Sequence, residues 1–222
     1  MIKILLYLCV APGCSLPPMP LDPTLRARAV ELPIKRKGWL VTSAARIGSY
    51  RTHFTSYREQ DESETARIGP VRFTHTTPWE RAFEVRGRGV WASKCHLDAK
   101  GLPVCAIGAQ DRPGERWSLQ LEAAPRPQGW ITGPDDFPLQ GTLRGPSEQL
   151  FVIKPVWARK GSTSYWLGFT LTSEDRVVGT VQAYPYDEMR LWVIRDAAGL
   201  EPVLVTTMYN LCLFYRHRPP SK

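Results

Sequence analysis

Histidine is scarce in this chain: four in 222 residues, at His53, His75, His96 and His217, with none near another in sequence. No His-Glu-x-x-His pair occurs, and Gly-x-Ser-x-Gly elbows, phosphate-binding glycine loops and dinucleotide fingerprints are missing as well. Spacing therefore assigns no catalytic residue, no metal ligand and no cofactor site. Long apolar runs are missing too. Ile4 to Val10 is seven residues and Val203 to Tyr215 thirteen, against the roughly 20 that a membrane-spanning helix needs. No block of one charge sign stands out beyond Lys35-Arg36-Lys37, and no internal repeat asserts itself.

What is present points to strands. With 43% hydrophobic and 23% charged residues the chain can bury a sizeable core. Twenty prolines and eight tryptophans, set among short runs of Val, Thr, Tyr, Phe and Trp, fit a mainly β protein and not a helical bundle. The formal charge is +8, with 21 arginines against 8 lysines, and the arginines are scattered. Such a surface suits anionic headgroups or, in an ordinary reading, simply solvation.

The amino terminus has a definite order. Lys3 is followed by the apolar Ile4 to Val10 and then by Ala11-Pro12-Gly13-Cys14, the charged, apolar and small-residue succession of a secretory signal. The segment resembles the signal of bacterial lipoproteins, in which diacylglycerol is placed on the cysteine of a small-residue box and the chain is cut just before it. The resemblance implies cleavage after residue 13 and a lipid on Cys14. It implies a membrane partner through that lipid, and, with Ser15 next, residence at the outer membrane of the bacterial envelope. Export disfavours nucleic acid as a partner; a protein or lipid partner stays open. Five prolines between Ser15 and Pro33 predict an extended tether over 14–34, with the β domain over 35–218.

Ten stretches read as strands: Gly38 to Ser43, Ile47 to Tyr57, Val71 to Thr76, Ala82 to Cys95, Val104 to Ala109, Arg116 to Glu122, Gln149 to Ala158, Ser164 to Thr172, Val177 to Ala183 and Arg190 to Ile194. Gly, Pro and Asp break them at 98–101, 111–114, 133–136 and 160–162. The expectation is an antiparallel barrel or sandwich, with a candidate internal boundary over the proline-rich stretch 123–146. Val203 to Tyr215 is polar only at Thr206, Thr207 and Asn210, which predicts a buried apolar helix at the carboxyl end, or else a central strand. Strands followed by one such helix resemble the tubby-like barrel of tubby proteins and phospholipid scramblases. That resemblance implies a closed sheet around the helix and contact with lipid headgroups, without any binding residue that can be carried over.

Three clusters remain. Asp61-Glu62-Ser63-Glu64 and Asp135-Asp136 could pair carboxylates for acid/base work or cation binding, or be solvated turns. The tryptophans, among them Trp91, Trp117, Trp157, Trp166 and Trp192, could line a groove or fill the core. Cys95 and Cys105 are symmetric about Lys100, so a hairpin turning at 98–101 sets them opposite, at the roughly 4.5 to 5.5 Å of cross-strand pairs that a disulfide accepts. Cys212, in the apolar segment, reads as a small buried hydrophobe. The first functional reading is a non-enzymatic envelope lipoprotein that binds or scaffolds. A lipid-handling barrel is the second, and an envelope hydrolase whose residues meet only in the fold is the third.

Overall fold

The computed structural model describes residues 19–36, 44–58, 64–68, 71–75, 79–128, 139–183, 189–194 and 199–216. The strands are β1 Ala29–Arg36, β2 Ala45–Ile47, β3 Tyr50–Arg58, β4 Glu64–Ile68, β5 Val71–His75, β6 Glu80–Gly87, β7 Gly89–Leu97, β8 Pro103–Ala109, β9 Arg116–Ala123, β10 Leu139–Arg144, β11 Leu150–Lys160, β12 Thr163–Ser173, β13 Arg176–Gln182 and β14 Arg190–Ile194. Two α-helices, α1 Pro23–Arg28 and α2 Glu201–Arg216, bracket them.

Twelve strands close into an antiparallel barrel in the order β1-β14-β13-β12-β11-β10-β9-β8-β7-β6-β3-β2, and β4 with β5 forms a separate hairpin. Closure leaves the barrel no unpaired edge. Of the two architectures open to the sequence, the chain is thus a barrel. Inward and outward side chains alternate as the pleat requires: on β8, Pro103, Cys105, Ile107 and Ala109 point in, and on β6, Arg81, Phe83 and Val85 do.

The segment over 203–215 is a helix, and it fills the barrel. Every residue from Pro202 to Phe214 is buried. A helix apolar on all sides is stable in water only when enclosed, and the ring of strands encloses it. Tyr209 meets Phe83 edge-on at 5.2 Å between ring centroids, and Phe214 lies 5.8 Å from Trp79. Gly179 leaves room for Met208, which a Cβ on β13 would strike. Thr206 donates to Pro202 O at 2.8 Å, so one of the three polar residues is satisfied within the helix itself.

Several boundaries differ from the sequence expectation. Ala82 to Cys95 is two strands, joined by a tight turn in which Gly87 pairs with Gly89. Gly89 takes the left-handed conformation with φ 84°. Ile47 to Tyr57 likewise contains a turn at Gly48, φ 57°, between β2 and β3. Gly38 to Ser43 lies outside the described residues. The stretch 123–146 does not divide the fold: it contains β10, which pairs with β9 from Leu139↔Ala123 to Arg144↔Ser118 in the one barrel sheet.

The largest difference concerns 14–34. From Met19 onward this stretch is part of the fold and not a tether. Asp22 Oδ1 accepts from Leu25 N at 3.1 Å and caps α1, with Pro23 in the first turn. β1 then closes the barrel between β14 and β2. Its proline, Pro33, stands at the last residue pair of the β1–β14 ladder, where a missing N–H costs least. Met19 and Leu25 are buried on the outer wall against Leu167 and Trp192. A second, smaller core therefore lies outside the barrel.

Candidate functional site

Cys14 lies outside the described residues, as do Asp61, Glu62 and Ser63 and the pair Asp135-Asp136. His53 and His96 are exposed on different strand pairs, opposite Glu84 and Glu80 respectively. Among the described residues no three of His, Cys, Asp and Glu gather as a metal would require. Trp91, Trp117 and Trp166 belong to the barrel core, Trp157 packs against it, and Trp192 faces outward beneath α1. These five tryptophans thus divide between the two cores.

Cys95 and Cys105 are register partners on β7 and β8 and form a disulfide, with Cα atoms 4.0 Å apart. The turn that aligns them is held by Asp98, whose Oδ1 accepts from Lys100 N and Leu102 N, each at 2.8 Å. Those donors, Leu102 first, hold the carboxyl below its ordinary pKa. The bridge points inward. Cys95 Sγ lies 3.2 Å from Oδ1 of Asn210 on α2, whose Nδ2 donates to Ser93 Oγ at 2.8 Å and to Thr206 O at 3.3 Å. Cys212 stays out of the bridge and is buried.

Beside Cys95 in the ladder stands Arg81. It is fully buried, with its guanidinium 4.1 Å from the Phe214 ring centroid and 5.3 Å from that of Trp79. None of its three side-chain nitrogens has a hydrogen-bond partner among the described residues. Burial lowers its pKa from the ordinary arginine value to about 9, against the opposing pull of Tyr209 and Tyr57. No motif in the sequence singles this residue out, yet the alternation Arg81, Phe83, Val85 places it on the core face.

At the end of the barrel where α2 begins, Tyr50 donates to Glu201 Oε1 at 2.9 Å and Arg88 meets Glu201 Oε2 at 3.2 Å. Burial first, then the Glu201 hydrogen bond, raises the Tyr50 pKa. On the same rim lies a groove of about 690 Å³, bordered by Arg28, Glu148, Leu150, Glu174, Asp175 and Arg176. Among the described residues four non-glycine positions have positive φ, namely Ser147, Glu148, Glu174 and Asp175, and all four line this groove. Leu150 is the one exposed large hydrophobic residue described. No family model, curated protein or solved structure matches the chain. The site therefore rests on geometry. Held turns, mixed charges and an apolar tip make the rim groove a surface that can bind. Strained backbone of this kind tends to collect at functional positions.

Proposed function

We propose that this chain is an exported lipoprotein of the bacterial envelope, anchored through lipid on Cys14, whose β domain binds or scaffolds and performs no catalysis. The observation that carries this reading is the Cys95–Cys105 bridge, because disulfides persist in oxidising compartments and are rare in the cytosol. It agrees with the signal-like order of Lys3, Ile4 to Val10 and Ala11 to Cys14. The rim groove is the surface offered to a partner. Cells fed an alkyne fatty acid should label the protein, and Cys14→Ser should abolish the label; label retained in that variant would overturn the lipoprotein reading.

A second reading is a lipid-handling barrel of the tubby-like kind. The closed twelve-strand sheet around one carboxyl-terminal helix favours it, since that arrangement resembles the tubby-like barrel. Its test is sedimentation of the Cys14→Ser protein with vesicles. Binding that requires a particular headgroup supports the second reading, and indifference to headgroup removes it.

A further inference from the structure

We infer that the amino-terminal segment docks the barrel sideways on the bilayer, with the wall of β12, β13 and β14, and the helix α1 that covers it, turned toward anionic lipid headgroups. This rests on lipidation of Cys14. Met19 and Leu25 are 5% and 1% exposed, fixed between the barrel wall and solvent against Leu167 and Trp192. From Cys14 to Met19 is five residues, and an extended chain covers at most about 3.6 Å per residue. The acylated residue is therefore held within roughly 18 Å of this wall in any conformation. A tether running to Lys35 would have allowed roughly 75 Å and any orientation.

Exposed charges on this side have both signs, with Glu174, Asp175 and Arg176 at the β12–β13 turn, and it is the basic ones that suit a headgroup surface. Arg26 is exposed on α1. Lys154 is exposed in the outward row that register continues through Thr170 and Thr180 to Trp192, under the helix. The nearby acid Glu31 is engaged by Arg190 at 3.0 Å, and Asp22 caps α1. Basic side chains held within a Debye length of anionic lipid are attracted to it. The opposite wall is β7, six places from β13 in the ring of twelve, where Lys94 is 64% exposed.

The test uses the acylated full-length protein in phosphatidylcholine vesicles containing phosphatidylglycerol, with a fluorophore on Arg26→Cys or on Lys94→Cys and an acceptor dye on lipid headgroups. Energy transfer from position 26 should be several-fold more efficient than from position 94. A Gly/Ser insert of about 20 residues between Pro18 and Met19, with a root-mean-square span of about 25 Å, should bring the two values together. Equal transfer from both positions without the insert overturns the docking. So does a difference that survives the insert, because short reach would then not be its cause. The mass of the amino-terminal peptide reads acylation separately. A lipid-bearing protein with equal transfer leaves the lipoprotein reading standing, whereas a peptide without lipid removes both.

Discussion

A guanidinium inside a barrel of hydrocarbon loses its hydration, and Arg81 recovers little of it from the faces of Phe214 and Trp79. Replacing buried ionic groups by apolar side chains of similar volume is often neutral or stabilising by about 1 to 4 kcal/mol, and the lone, desolvated Arg81 belongs at the stabilising end of that range. Arg81→Met should therefore raise stability in urea by that amount; a loss of 3 kcal/mol or more would mean that the guanidinium has an acceptor. The pH dependence has a defined sign. Unfolded, the group keeps its proton up to the ordinary arginine pKa, and folded it releases it near 9. Between those values the unfolded chain binds more protons, so stability rises with pH. Below 9 both states are charged and the full cost remains. The advantage of Arg81→Met over the parent should accordingly shrink as pH is raised above 9, and an advantage constant to pH 11 would contradict the burial account. Cys95 and Cys105 close a loop of ten residues, for which loop entropy gives about 2 to 3 kcal/mol. Denaturation with and without reductant measures that loss directly, and identical curves would show the bridge to be without stabilising effect.

Truncation after Gly199 removes α2, and with it Val203, Leu204, Leu211, Leu213 and Phe214, all buried. Each is worth roughly 1.5 to 3 kcal/mol, and the sum matches the roughly 5 to 15 kcal/mol of a whole domain. The truncated chain should show no cooperative unfolding, and Leu211→Asp should be severely destabilised; an unchanged melting temperature in either would place the helix outside the core. This helix was legible because its composition permits no exposed face. The Cys95–Cys105 bridge was legible because the Asp98 to Gly101 turn fixes the register. The hairpin of β6 and β7 was not, for a specific reason: Val85 faces Trp91 and Arg81 faces Cys95, so the inward residues are odd-numbered on both sides of the turn and the alternation runs through it unbroken. Nor was the rim groove. Glu174 and Asp175 adopt φ of 47° and 62° where Gly or Asn would have announced the turn. The proline content of 14–34 masked α1 and β1, since proline marks a tether and a helix start equally well.

Across the whole molecule the decisive fact is that β1 is the closing strand. Removing residues 1–18 should leave a soluble, folded barrel. Removing 1–34 takes away most of β1 and uncovers the paired sides of β14 and β2, and unpaired strand edges recruit other chains. Light scattering on the two purified deletions should show aggregation of the second alone; a monodisperse 35–222 protein would mean that the barrel closes without its first strand. The same closure governs when the fold can form at all. Ala29 pairs with Ile194, so the ends of the barrel meet only after every intervening residue has been made, and the core they close around is α2, made later still. Long-range pairing of this kind is slow to form. A nascent chain short of Tyr209 has neither its plug nor a full set of neighbours for its inward side chains, and it stays open until α2 has been made. The barrel thus cannot be completed strand by strand from its amino end, because its first strand and its plug wait for each other across all the sequence between Ala29 and Glu201.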